Sequence, residues 1–241
     1  MKYTENDVKE LNQQYENKAP EEILSWAFDN FHPNIVLASS FQAQGVALID
    51  LLMKVRPDSR IVTLDTGRLP QETYDVMDKI SSKYNVNIEV IFPDKGEVEE
   101  MVNQNGINLF YKTVQNRRMC CSVRKTNPLN KFLKTVDAWI TSIRKNQTDS
   151  RSNAKKFEID YIHGRILKIN PLVDWAQEEV WDYVKKNEVP YNKLHDLGYP
   201  SIGCAPCTRA IKPGEDTRAG RWWWEIGTDK ECGIHFEYES N

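Results

Sequence analysis

Short apolar runs alternate with longer stretches of helical spacing along most of the chain. The run Ile35–Ala38 inside "NIVLASS" (34–40) is bounded by polar residues and predicts a buried strand. "FQAQG" then leads into "VALIDLLMKV", an apolar helix. "RIVTLDT" (60–66) repeats the strand signal. In "LPQETYDVMDKISSKY" Pro70 stands near a helix start, and Tyr74, Met77 and Ile80 follow at three-residue steps. "NVNIEVIF" predicts a third strand and "DKGEVEEMVNQN" a third helix. The helix "NPLNKFLK" precedes a fourth strand in "DAWITSI" (137–143), and "QEEVWDYVKKNEVP" carries the last helical pattern. Strands alternating with helices imply crossover connections, hence an α/β fold with a mostly parallel, doubly wound sheet flanked by helices. The pattern divides the chain into an N-terminal helical segment (1–33), an α/β core (34–190) and a loop-rich tail (191–241). No internal repeat or low-complexity tract interrupts it.

Composition narrows the function without naming it. At 241 residues, 40% hydrophobic and 28% charged, the chain is ordinary globular protein. A formal charge of −3 gives no support to nucleic-acid binding through bulk basicity. The start, "MKYTENDVKELNQQYENKAP", is polar and has no apolar core of a secretory signal. Nothing approaches about 18 consecutive apolar residues, so no membrane span is expected. Five cysteines, an odd number, argue against a disulfide framework and for thiols that bind metal or react in a reducing, cytoplasmic setting.

Ligands of open α/β sheets bind beyond the carboxyl ends of the strands. Two turns there have unusual composition. "SSFQAQG" (39–45) offers hydroxyls, an amide and a helix start to an anion. "LDTGRL" (64–69) offers a carboxylate, a hydroxyl, a glycine and an arginine. Both also read as plain strand–helix connections. The cysteines speak more sharply. "RRMCCSVRKTNP" and "SIGCAPCTRA" place an adjacent pair, Cys120 and Cys121, and a Cys-x-x-Cys, Cys204 and Cys207. Four thiolates suit a structural zinc or an iron–sulfur cluster. Zinc knuckles space their cysteines, and an adjacent pair fits the larger cluster better. The tail adds Arg218 and Arg221, residues able to fork onto sulfate or phosphate, and the run Trp222–Trp224, which reads as packing. Cys232 stands alone in "KECGIH", with a glycine beside it and His235 close by. That context suits a mobile nucleophile as well as an incidental thiol.

The motifs "SSFQ", "LDTGRL", "CCSVRK", "GCAPCTR", "GRWWWE" and "KECGIH" occur in the order and spacing of assimilatory adenylyl-sulfate (APS) reductases. The chain thus resembles the iron–sulfur branch of the phosphoadenylyl-sulfate (PAPS) reductase family from about Asn34 to His235. The resemblance implies a Rossmann-like, ATP-pyrophosphatase-like, nucleotide-binding core and one 4Fe–4S cluster per chain on Cys120, Cys121, Cys204 and Cys207. It makes Cys232 the catalytic nucleophile. It assigns substrate contacts to Ser39, Ser40, Phe41, Gln42, Leu64, Asp65, Thr66, Gly67, Arg68, Leu69, Lys125, Arg144, Arg218, Arg221 and His235. "QAQG" stands where many relatives have "GAED", and "SIRKNQT" replaces the commoner "GLRR" pattern.

The reaction so implied is thioredoxin-dependent reduction of APS to sulfite and AMP, through a thiosulfonate on Cys232, in assimilatory sulfate reduction. Reduction of PAPS, or of both nucleotides, is the nearest alternative. A more distant one is an ATP-pyrophosphatase-type or tRNA-thiolation enzyme, which should carry a serine–glycine-rich phosphate loop that "SSFQAQG" is not. A four-cysteine zinc module would leave Cys232 and both turns unexplained. The expected partners are APS and thioredoxin or a similar dithiol, with no nucleic acid and no membrane. The sequence leaves a homo-oligomer open.

Overall fold

The computed structural model describes residues 3–225 and 233–234. Two helices open the chain, α1 (Glu5–Gln14) and α2 (Pro20–Phe31). Alternation then follows as β1 (Ile35–Ala38), α3 (Ala43–Val55), β2 (Ile61–Leu64), α4 (Gln71–Tyr84), β3 (Ile88–Ile91) and α5 (Lys95–Asn105). Two short helices, α6 (Val114–Cys121) and α7 (Asn127–Leu133), precede β4 (Ala138–Ile140), a β5–β6 pair (Phe157–Asp160, Ile166–Ile169) and α8 (Gln177–Lys186). Beyond α8 the described chain has only short single-turn helices, as the glycine- and proline-rich composition predicts. No helix among the described residues is long and apolar enough to cross a membrane.

The six strands form one sheet in the order β3-β2-β1-β4-β6-β5. β1 runs parallel to β2 and β4, and β4 parallel to β6, while β5 is antiparallel to β6. The parallel α/β reading therefore holds. Local pattern does not predict the β5–β6 pair, because Lys168 breaks the apolar run of Ile166–Ile169. Its ammonium lies 3.2 Å from the Glu158 carboxylate of β5. The exposed edge of β5 is closed by Asn12 of α1, whose amide donates to the Phe157 carbonyl and accepts from the Phe157 N–H at 2.9 and 3.1 Å.

α3 is buried almost all round, which explains why its sequence is apolar throughout rather than amphipathic. Its one buried carboxylate, Asp50, accepts from the hydroxyls of Tyr84 and Tyr183 and pairs with Lys54 at 2.7 Å. Burial first, then this carboxylate, drive both tyrosine hydroxyls well above their ordinary range.

The chain clusters into two compact units. One holds the residues up to Thr63 with Asp75–Glu89 and Leu133–Asn192. The other holds Leu64–Tyr74, Val90–Phe132 and the chain from Lys193.

Candidate active site

In the first unit, β1 ends in a turn whose backbone is set by a serine. Ser39 is buried and its Oγ accepts from the Phe41 N–H at 3.1 Å. Phe41 takes the left-handed conformation, with φ 55°, and is fully buried. A bulky residue holds that conformation only where packing over-determines it. The Gln42 amide donates to Ser40 Oγ at 3.2 Å. α3 begins at Ala43, so "AQG" forms its first helical turn instead of a loop before it, and the Gln42 side chain does not cap that turn. A helix N-terminus of this kind suits an anion. Gly45 is required there: a Cβ would sit 2.7 Å from Ser39 Oγ.

Arg144, also in the first unit, is buried. It donates to the Trp175 carbonyl at 3.2 Å and to the Gln177 side chain, and its Nε has no hydrogen-bond partner among the described residues. Burial, reinforced by Arg151 and opposed by Glu178, lowers the pKa of its guanidinium.

The second unit carries the cysteines. Leu64 ends β2 half-buried, and Asp65 and Thr66 behind it are buried. The turn Asp65–Arg68 is fixed by the Asp65 carboxylate, which accepts from the Gly67 N–H at 2.7 Å, with Gly67 at φ 69°. Tyr74 donates to the same carboxylate at 3.0 Å, and burial together with Asp65 pushes its hydroxyl up to about 12. The Thr66 hydroxyl lies 3.2 Å from Cys204 Sγ, and the Thr66 carbonyl accepts from Arg124 at 2.7 Å. The Arg68 carbonyl accepts from the Ala205 N–H at 2.8 Å. Its guanidinium donates to the Ile107 carbonyl at 2.8 Å and lies over Phe110, so that Arg68 orders its own surroundings. Leu69 follows, half-buried.

Cys120 and Cys121 end α6. A π turn, Ser122–Thr126, follows and bears Arg124 and Lys125; such turns widen a helix and recur at functional sites. Cys120, Cys121 and Cys207 pack with Met101, Leu109, Phe110 and Trp222, and Cys204 packs against the group. All four are free thiols. Burial raises the Cys120 thiol, and burial with the neighbouring Cys204 pushes Cys207 up to about 12. Cys204 moves the other way. Burial alone would raise it, but Lys125, the Thr66 hydroxyl, Arg221 and Arg124 outweigh that and lower it. Among the described residues no group of three or more His, Cys, Asp or Glu side chains is placed to hold a single metal ion. The donor set is nonetheless soft, all thiol, and enclosed in apolar packing, which fits an iron–sulfur cluster.

The tail segment lies against the Cys-x-x-Cys segment. Thr208 bridges Arg221 as an antiparallel pair, and the Trp222 N–H donates to the Cys207 carbonyl at 3.3 Å. Arg221 is buried, donates to Ser201 Oγ at 3.3 Å and lies over Trp222. Arg218 is half-buried, its N–H on the Asp216 carboxylate at 2.8 Å. The structure thus brings Thr66, Arg68, Lys125, Arg221 and the four paired cysteines together in one unit. Ser39–Gln42 and Arg144 belong to the other unit, and Cys232 and His235 lie outside the described residues. Trp222 is packing, as expected, whereas Trp223 is 39% exposed. Arg117, Arg124 and Glu225 also belong to this environment and were not singled out from sequence. Arg117 and Arg124 flank the cysteine pair in "RRMCCSVR", the one signal that could have drawn notice.

A family model of the phosphoadenosine phosphosulfate reductase domain matches residues 34–210. The adenosine 5'-phosphosulfate reductase of Burkholderia cepacia is 45% identical over 204 residues, 85% of this chain and 81% of that protein. The enzyme of the same name from Allochromatium vinosum is 46% identical over 202 residues, 84% of this chain and 78% of that protein. Among solved structures, the phosphoadenylyl-sulfate (PAPS) reductase from Candida auris, a phosphate complex, gives a TM-score of 0.76 at 29% identity. That match covers 87% of this chain and 99% of the other. The Candida glabrata FMN adenylyltransferase, at 12% identity and a TM-score of 0.57 over 98% of this chain and 78% of its own, shares the fold alone.

Proposed function

This chain belongs to the phosphoadenosine phosphosulfate reductase family, and from that premise we propose that it reduces adenylyl sulfate to sulfite and AMP in sulfate assimilation. One observation supports this most: four of its five cysteines are gathered in one apolar shell beside Lys125 and Arg221, which singles out Cys232 for chemistry.

The Cys232 thiolate attacks the sulfur of bound APS, the S–O bond to the phosphate breaks, and AMP leaves as an anion. Cys232 then carries the sulfonate as a thiosulfonate. One thiol of thioredoxin, or of a similar dithiol protein, attacks the Cys232 sulfur and expels sulfite. Its second thiol resolves the mixed disulfide and returns Cys232 as a thiol. The two electrons that reduce sulfate to sulfite come from that dithiol. In the second unit, Lys125, Arg218 and Arg221 balance charge as it shifts toward AMP. Within the first unit, the α3 N-terminus and the Ser39–Gln42 turn suit a phosphate. His235 would assist at the nucleophile. A 4Fe–4S cluster on Cys120, Cys121, Cys204 and Cys207 would hold the α6 end and the Cys-x-x-Cys segment in register. No electron need pass through it.

APS is expected to be the better nucleotide, because a 3′-phosphate brings about two further negative charges that need their own cations. "FQAQG" supplies none. Steady-state kcat/KM for APS and for PAPS, with reduced thioredoxin, tests this. An equal or higher value for PAPS overturns it.

Arg221 has its own test. A Cβ on Gly203 would stand 2.3 Å from Arg221 Nη2 and 2.6 Å from Cζ, so Gly203→Ala must displace the buried guanidinium. The KM for APS is expected to rise about tenfold, the loss of one charge-assisted contact. An unchanged KM in a folded variant would remove Arg221 from the binding residues.

A further inference from the structure

Arg117 lies on α6 one turn ahead of Cys120 and Cys121, and its side chain is wholly buried. Its Nε donates to Glu225 Oε1 at 2.9 Å and its Nη2 to Oε2 at 2.8 Å, a two-pronged fork with Glu225 only 2% exposed. The same guanidinium lies 4.5 Å from the ring centre of Trp222, and that of Arg221 lies 4.7 Å from it. One indole is therefore shared by two cations. Trp222 holds φ 41°, a conformation kept by a bulky residue only where its neighbours enforce it.

A buried ion pair is weak support for stability, since apolar packing often does as well. What a fork adds is direction. It fixes the carboxylate in plane and angle, and with it the backbone that carries the carboxylate. Trp222–Glu225 lies between Arg221, a cation of the proposed site, and Cys232, the proposed nucleophile. We infer that Arg117 is a positioning residue for the attack on sulfur: through Glu225 and Trp222 it ties the root of the segment leading to Cys232 to the helix bearing Cys120 and Cys121. This rests on the reading of Cys232 as nucleophile. Placement errors of about 1 Å can cost about a hundredfold in rate, so loosening the root should act on the chemical step more than on binding.

Glu225→Gln and Arg117→Lys keep size while breaking the fork. The iron-loaded full chain is mixed with saturating APS and no reductant, and the sulfonate adduct on Cys232 is followed by mass spectrometry in a single turnover. Both variants are expected to form it at least about tenfold more slowly. Their iron content should be unchanged, and the APS dissociation constant in a Cys232→Ser background should move less than about threefold. Leu129→Ala, which thins the core on α7, controls for lowered stability alone and should lower the melting temperature while keeping the adduct rate. Wild-type rates in either clasp variant overturn the inference. So do rates that fall only in proportion to lost iron, or equally in Leu129→Ala. A wild-type chain that forms no adduct with APS overturns the functional reading itself.

Discussion

Cys232→Ser is expected to yield a folded, iron-bearing protein that binds APS and releases no sulfite. Cys232 is the one cysteine outside the two pairs, so the exchange leaves the apolar thiol shell of Cys120, Cys121, Cys204 and Cys207 untouched. Serine keeps a nucleophilic atom in nearly the same place. Its hydroxyl is hardly ionised at neutral pH, and a sulfonate on oxygen gives the incoming reductant no sulfur–sulfur bond to exchange. Loss of a nucleophile costs on the order of 10³ to 10⁶ in turnover. Mass spectrometry after incubation with APS should show the sulfonate adduct on wild type and none on the variant. Equilibrium dialysis should return APS affinities within about threefold of each other, because ground-state contacts remain. Turnover near the wild-type rate would mean that another group takes the sulfonate.

Why some of this was legible in the sequence, and some not, follows from the range of the interactions involved. β1, β2 and β4 are short apolar runs closed by polar residues, and local pattern suffices to read them. The β5–β6 pair escaped because Lys168 looks like a surface residue and is instead held by Glu158 across the two strands. Gly164 at φ 85° and Arg165 at φ 64° make the turn between them, a signal present in "HGR" but weak by itself. The cysteine shell was legible because motif spacing encodes it. The resemblance makes Arg68 a substrate contact, whereas the contacts of its guanidinium with the Ile107 carbonyl and the Phe110 ring, remote in sequence, are beyond any local pattern. Arg117 and Glu225 lie on different segments and meet only through tertiary packing, so the place of Arg117 beside the cysteine pair in "RRMCC" says nothing of its partner.

Replacing Cys204 by alanine is expected to give a colourless protein with close to no iron. Anaerobically prepared wild type should be brown, with about four irons per chain and matching acid-labile sulfide. Cys204 is the informative choice of the four. It stands at the junction of the unit: the Thr66 hydroxyl contacts its sulfur at 3.2 Å, the adjacent Ala205 N–H is bound to the Arg68 carbonyl, and the Cys207 N–H to the Cys204 carbonyl. The two backbone bonds hold the Cys-x-x-Cys segment whatever side chain stands at 204. The substitution therefore removes one ligand without unfolding the turn that presents the other. A cluster short of one thiolate is open to solvent and oxidant, and metal sites of this kind add their binding free energy to folding. The variant should then melt at lower temperature and be cleaved earlier by protease between Val114 and Thr126, the segment bearing Cys120, Cys121 and Lys125. Sulfite formation from APS should fall by at least about tenfold, since Lys125, which acts on Cys204, loses its fixed surroundings. Thr66→Val, which removes the hydroxyl contact and keeps all four thiols, should retain the colour and the iron. Full iron in Cys204→Ala, or stoichiometric zinc without iron in anaerobic wild type, would replace the cluster with a different use of these four cysteines.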